Sequence, residues 1–330
     1  MNVLVTGGAG YIGSHAVRAL TAAGHEVTVL DDLSQGHRAA VAETARFVEG
    51  DLGDPTALSR ALEGADAVMH FAALASVAES VARPALYQEV NVDKGRALLD
   101  AMAARGVERL VFSSTCAVYG EPVRLPIDED HPQRPVNPYG ETKRAFEAEL
   151  RQRAGSGPLR AVALRYFNAA GAHPDGSLGE DHRPEHHLIP RAIDAALGRG
   201  SVLTIHGEDY DTADGTCIRD YIHVQDLSAA HVLALRGLDD GREPFRAYNL
   251  GTGRGHSVRE VVRAVEHAVL RRVPTRIGPR RPGDPPALVA SADRFEQEVG
   301  FVPQYPELRT IVEDALRWRR AHPDGYGAAA

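Results

Sequence analysis

The chain has 330 residues, a formal net charge of −8 and two cysteines, with hydrophobic and charged fractions of 43% and 25%. That length supports a large core and one or two domains, the fractions are those of an ordinary globular protein, and the acidic balance argues against nucleic acid or an anionic membrane as partner. Cys116 and Cys217 stand in no metal-ligand spacing, no apolar run is long enough to span a bilayer, and the first strand begins at residue 2 with no room for a signal peptide, so a soluble cytoplasmic protein is expected.

Asn2–Thr6 is short, apolar and β-branched and reads as a buried strand. It breaks into Gly7-Gly8-Ala9-Gly10-Tyr11-Ile12-Gly13, after which Ile12, Ala16, Ala19, Leu20 and Ala23 form one helical stripe that Gly24 and His25 end. Glu26–Leu30 is a second strand, closed by Asp31. Further strands are expected at 46–51, 67–71, 109–113 and 161–167, and helices at about 86–105 and 138–153. This alternation predicts an α/β fold: a Rossmann-type doubly wound parallel sheet with ligands at the strand C-terminal ends.

After residue 168 the texture changes. Residues 169–187 read as a long Gly-, His-, Pro- and Asp-rich loop. Helices follow near 188–198, 226–237, 257–271 and 306–320, with a strand near 202–206. The expected division is a cofactor domain, 1–168, and a smaller α/β substrate lobe, mostly 169–330, with some segments returning to the first domain. Residues 325–330 read as a frayed tail.

The glycine turn carries the first chemistry. Gly7 permits the turn, Gly10 lets a pyrophosphate approach the backbone, Gly13 lets the helix pack on the sheet, and the helix N-terminus attracts the phosphates. Asp31 stands where a carboxylate accepts bonds from an adenosine ribose and repels a 2′-phosphate, so NAD is expected over NADP. The glycine spacing of three and three resembles the extended short-chain dehydrogenase/reductase superfamily.

The second chemistry is Tyr139-Gly140-Glu141-Thr142-Lys143, a phenol and an ammonium four residues apart and hence on one helix face. Thr115 follows a strand at the edge where cofactor sits. A tyrosine with a pKa of about 10 is a poor base at neutral pH, but a nearby Lys⁺ and a nicotinamide cation both favour the phenolate. Tyr139 can then take a hydroxyl proton while the carbon beneath gives up hydride. Lys143 can also bond the nicotinamide ribose, and Thr115 can position the reacting oxygen.

Beyond these motifs, the chain resembles the UDP-glucose 4-epimerase family over nearly its whole length. Matching stretches include Val3–His15, His70–Ala73, Val118–Gly120, Asn137–Gly140, Leu164–Asn168, Gly171–Pro174, Arg219–Val224, Tyr248–Gly253 and Trp318–Tyr326. The resemblance implies NAD contacts at Tyr11 and Ile12, along Asp31, Asp32, Leu33, Ser34, Gln35 and Gly36, and at Asp51 and Leu52. It implies others at Phe71, Ala72, Ala73 and Asn91, with Phe167 by the nicotinamide. Thr115, Tyr139 and Lys143 match the catalytic trio. Asn168, Leu188, Arg219, Arg281 and Asp284 match contacts to a UDP-sugar substrate, the arginines facing its diphosphate, and Leu288 matches the residue beside the sugar's C2 substituent. The family's reaction takes hydride from C4 of the sugar onto bound NAD, turns the 4-keto sugar over about its diphosphate, and returns the hydride to the other face. A homodimer through the helices near 86–105 and 138–153 is implied as well.

Three positions depart from the family pattern. Thr115 replaces a serine and keeps the hydroxyl, so activity is expected. Ala75 replaces a lysine near the nicotinamide end, and His186-His187-Leu188 replaces Asn-Asn-Leu. A dehydratase or decarboxylase of this fold would need a carboxylate right after Thr115, where Cys116 and Ala117 stand. A non-catalytic NAD-binding regulator would tend to lose the Tyr/Lys pair. His182, His186 and His187 with Asp181 match no standard zinc spacing and read as a polar loop, so no metal is expected. Cys116 reads as an inert buried thiol, and Pro282–Pro286 as a rigid loop over the substrate.

Overall fold

The computed structural model describes residues 1–281 and 283–327. Pro282 of the expected rigid loop and the last residues of the expected tail lie outside them. β1 (Asn2–Thr6) leads into α1 (Tyr11–Ala22) and β2 (Glu26–Asp31), then β3 (Arg46–Glu49), α2 (Pro55–Ala61) and β4 (Ala67–His70). Two short helices, α3 (Val77–Ala82) and α4 (Pro84–Gln88), precede α5 (Lys94–Ala104), β5 (Arg109–Thr115), α6 (Pro138–Ser156) and β6 (Arg160–Tyr166). Next come β7 (Asn168–Ala170), α7 (Leu188–Leu197), β8 (Leu203–His206), β9 (Ile218–His223), α8 (Val224–Arg236) and β10 (Phe245–Leu250). The chain closes with β11 (Gly255–Ser257), α9 (Val258–Val269), β12 (Thr275–Gly278), β13 (Ala287–Leu288), α10 (Asp293–Val299) and α11 (Leu308–Ala321).

Seven parallel strands form one sheet in the order β10-β6-β5-β4-β1-β2-β3. The order reverses between β1 and β4, and the crevice beyond the strand C-termini at that point is where such sheets bind ligands. β1 is buried on both faces, as a central parallel strand must be. Val3 and Val5 face a core shared with Val17 and Leu20 of α1 and Leu227 and Leu235 of α8. Leu4 faces the opposite core, with Leu58 of α2, Leu98 of α5, and Phe146 and Leu150 of α6. Burying each such side chain contributes about 1.5–3 kcal/mol.

The later chain builds two small sheets: β9 paired with β7, β11 and β13, and β8 paired with β12. Ile193 of α7, Val261 and Val265 of α9, and Ile311 of α11 form their common core. β10 joins β6 as the outermost strand of the large sheet, and α8 packs on α1. β10 was not among the expected strands. Nor was β9, whose middle carries the buried Asp220. Asp220 is satisfied there by the N–H groups of Thr252, Gly253 and Ala290 and by the Thr252 hydroxyl.

The helix expected over 86–105 is continuous but not uniform. A π-helical turn at Glu89–Asp93 separates α4 from α5 and turns Asn91 and Val92 inward. Asn91 uses the widened turn to clamp Leu74: its Oδ1 accepts the Leu74 N–H at 2.8 Å and its Nδ2 donates to the Leu74 carbonyl at 3.0 Å.

Candidate active site

The glycine turn holds its shape because no side chain fits in it. Gly7 has φ +73°, and a Cβ there would lie 2.5 Å from the Ala72 nitrogen. A Cβ on Gly13 would lie 2.1 Å from the Gly7 carbonyl oxygen. Gly10 is the N-cap of α1, no side chain caps that helix, and its first turn carries no acidic residue. The first-turn N–H groups are therefore open to an anion. At the end of β2 the Asp31 carboxylate accepts the N–H groups of Ala9 and Leu33, each at 2.9 Å. Burial raises the Asp31 pKa and these two bonds oppose the rise. Turn, helix end and fixed carboxylate together fit a dinucleotide with an unphosphorylated ribose.

The catalytic candidates converge from two neighbouring elements. Asn137 caps α6, its Oδ1 accepting the Gly140 N–H at 2.9 Å, with Pro138 in the first turn. That start places Tyr139, Lys143 and Glu147 at i, i+4 and i+8 on the buried face of the helix. Lys143 Nζ donates to the Ser113 carbonyl at 2.8 Å and lies 4.8 Å from the centre of the Phe112 ring. Thr115 ends β5 and faces the Tyr139 phenol. Burial pushes the Tyr139 pKa well above its usual range, with the Thr115 hydroxyl working against the rise. Burial also pulls Lys143 down to about 7, opposed by the Glu147 carboxylate. Cys116, beside them, is pushed up to about 12 by burial and is inert as a nucleophile.

These groups share one cavity of about 540 Å³. Its wall includes Gly7, Gly10, Tyr11, Ile12 and Gly13, then Asp31, Asp32, Ser34, Gln35 and Gly36. Asp51, Leu52, Phe71, Ala72, Ala73 and Ala75 line it further along. Thr115, Tyr139, Lys143, Phe167, Asn168, Leu188, Asp284 and Leu288 line it as well. Four expected contacts stand behind or beside the wall. Leu33 donates its N–H to Asp31, and Asn91 clamps Leu74. Arg219 pairs with Asp284 and donates to the Pro285 carbonyl at 3.0 Å. Arg281 lines an adjoining recess with Glu121, Val136 and Arg280.

Several residues of the site were not among the candidates. Tyr166 lines the cavity and shares a 2.8 Å hydrogen bond with Ser113 Oγ. Lys94 lines it too and pairs with Asp51 at 2.6 Å. Glu147 binds Arg165 at 2.5 Å and accepts the Ser114 hydroxyl proton, with both members of the ion pair buried. Its place eight residues after Tyr139 on one helix face was the available signal. Glu180 also lies on the wall, beside His182, which reads in the sequence as part of a polar loop, and His187, which also departs from the family pattern. Burial disfavours the Glu180 carboxylate, but His187 and His182 outweigh it and pull its pKa down to about 2.

The chain is similar to known proteins over nearly its whole length. The profile of the NAD dependent epimerase/dehydratase family matches residues 3–251. The UDP-glucose 4-epimerase of Lacticaseibacillus casei is 46% identical over 329 residues, 99% of either chain. A crystal structure of UDP-glucose 4-epimerase from Brucella ovis in complex with NAD superposes with a TM-score of 0.92 at 50% identity, covering 96% of this chain and 98% of that one. One from Bifidobacterium longum in complex with NAD⁺ and UDP superposes with a TM-score of 0.94 at 38% identity, covering 98% and 100%.

Proposed function

This chain belongs to the NAD dependent epimerase/dehydratase family and, within it, to the UDP-glucose 4-epimerases, and on that footing we propose that its cavity interconverts UDP-glucose and UDP-galactose by inverting C4. The observation that carries the reading is one cavity walled by the glycine turn, by Thr115, Tyr139 and Lys143, and by Leu188, Asp284 and Leu288.

NAD, when bound, takes a hydride from C4 and returns it to the opposite face, so no net redox change accumulates. The chain's own residues handle the proton and the positioning. Tyr139 takes the proton from the sugar's 4-hydroxyl and gives it back. Lys143 lies beside that ring, where its cation favours the phenolate. Thr115 bonds the reacting oxygen and fixes its distance from the phenol. Asn168, whose Nδ2 donates to the Asp220 carbonyl at 3.0 Å, and Asp284, held by Arg219, sit at the sugar-nucleotide end. Arg281 beside them offers a guanidinium fork to the diphosphate. The 4-keto sugar turns over while its diphosphate stays held.

In this reading residues 1–168 hold the cofactor and most of 169–330 hold the sugar nucleotide. The enzyme works in the cytoplasm, where the free buried thiols Cys116 and Cys217 stay reduced, and it pairs as a homodimer through α4, α5 and α6. The deciding assay is incubation with UDP-galactose and NAD. Formation of UDP-glucose without net NADH supports the epimerase. NADH accumulating with the product would make it a dehydrogenase, and no conversion would make it a dinucleotide-binding regulator.

A further inference from the structure

Between β7 and α7 the chain carries Glu-x-His twice, as Glu180-x-His182 and Glu185-x-His187. The fold brings the two copies face to face. One donor atom from each of the four residues lies within 4.8 Å of all the others. Glu180 Oε1 is 3.1 Å from His182 Nδ1 and 2.5 Å from His187 Nδ1. Glu185 Oε2 is 3.9 Å from His182 Nδ1, and Glu185 Oε1 is 3.4 Å from His187 Nδ1. Four ligands held tetrahedrally at about 2.0–2.1 Å from a zinc ion are about 3.3 Å apart. These separations bracket that spacing, so small rotations of the side chains suffice.

We propose that Glu180, His182, Glu185 and His187 form a binding site for one divalent transition-metal cation of the zinc class. Two independent features point to a ligand here. Glu185 Oε1 accepts the N–H groups of His186 and His187, whereas Oε2 is buried, faces His182 and has no hydrogen-bond partner. The side chains of Glu180 and Glu185 are only 7% and 11% exposed, so their two negative charges need compensation close by. Two imidazole protons can supply it, and so can one divalent cation, which also gives Oε2 a ligand bond in place of its distant approach to His182. Two imidazole nitrogens in the set select zinc, cobalt or nickel over magnesium or calcium.

The sequence reading rejected a metal site built on His182, His186, His187 and Asp181. The fold sends two of these elsewhere. Asp181 accepts the Tyr326 N–H at 3.0 Å and pairs with His37 at 3.3 Å, and His186 points into solvent. The glutamates replace them. Glu180 is fixed from behind, where its carbonyl accepts the Trp318 indole N–H at 3.2 Å. Because Glu180, His182 and His187 lie on the cavity wall, a bound cation ties the segment before α7 into that wall.

The test uses the tag-free full chain, stripped with chelator and dialysed against Zn²⁺ or Co²⁺. One Zn²⁺ per chain by elemental analysis is expected, with intense visible ligand-field bands of four-coordinate Co²⁺ and a raised Tm. His182→Gln and Glu185→Gln should each weaken binding by at least about 10–100-fold, the loss that an outer-shell partner alone brings. His267→Gln, on the exposed side of α9, should bind as the parent does. Glu185 lies outside the cavity wall, so its variant decides the matter if His182→Gln fails to fold. No binding by the parent, or undiminished binding by Glu185→Gln, overturns the proposal.

Discussion

Lys143 Nζ lies 5.9 Å from the centre of the Tyr139 ring, one helical turn along α6, and is held there by the Ser113 carbonyl at 2.8 Å. The ammonium is therefore tied to the strand that ends in Thr115, and phenol, hydroxyl and cation are linked as one unit through α6 and β5. Tyr139→Phe keeps the ring and removes the proton acceptor. Turnover of UDP-galactose should fall by about 10²–10⁴-fold with cofactor saturated. Near-normal turnover in this variant would remove Tyr139 from the mechanism.

Glu147 extends this unit downward. Its ion pair with Arg165 is buried on both sides, at 3% and 2% exposure. Glu147→Gln leaves the Arg165 charge unpaired and should destabilise the fold by about 3–5 kcal/mol, read by urea unfolding. It also removes the charge that holds the Lys143 pKa up. The lysine cation should then be lost at lower pH, moving the alkaline limb of kcat downward. An unmoved limb would confine Glu147 to a structural role.

Ala75 lies on the cavity wall, at the position where the family resemblance implies a lysine. A charged hydrogen bond to cofactor is worth about 1.5–3 kcal/mol. Ala75→Lys should therefore slow NAD dissociation by about 10–100-fold, measured by fluorescence on dilution. An unchanged rate would mean that another group already supplies the contact.

Leu288 lines the cavity and packs against the cluster that includes Cys116 and Phe167. In the proposed binding mode its branched side chain takes up the space an acetamido group would need and offers it no hydrogen bond, a cost of about 1–3 kcal/mol for a buried amide. The enzyme should prefer UDP-glucose and UDP-galactose over their N-acetyl forms. Leu288→Ser should raise the ratio of kcat/KM for the N-acetyl pair to that for the plain pair. Equal ratios in both proteins would place Leu288 away from the sugar.

Burial holds three imidazoles neutral: it lowers the pKa of His15 and His231 to about 4 and that of His70 to about 3. Their unfolded-state pKa is about 6.5, so below that value the unfolded chain binds more protons than the native one. Stability should fall as pH drops from about 6.5 toward 4, by up to about 1.4 kcal/mol per pH unit for each imidazole. His231→Gln should flatten the slope by one such increment in urea titrations at several pH values. A slope identical to the parent's would show that His231 takes up its proton in the native state.

Local chemistry made much of this protein legible in its sequence. The parallel alternation through residue 168 follows from side-chain periodicity, since strands buried on both faces read as unbroken apolar runs and helices as stripes. The glycine turn, Asp31 and the Tyr139/Lys143 pair are likewise local, set by chain geometry within one turn or one β-α-β unit. Only the tertiary structure decided the rest. β9 carries a buried carboxylate, Asp220, whose partners lie about 30 to 70 residues away. β10 owes its place to its pairing with β6, in which Phe245 sits against Ala161, 84 positions earlier in the chain. Lys94 against Asp51, Arg219 against Asp284 and the two Glu-x-His copies facing one another are through-space pairings of polar groups, which carry no period. Sequence pattern reports which side of an element is buried, whereas the partner of a buried charge is chosen by the packing of elements distant along the chain.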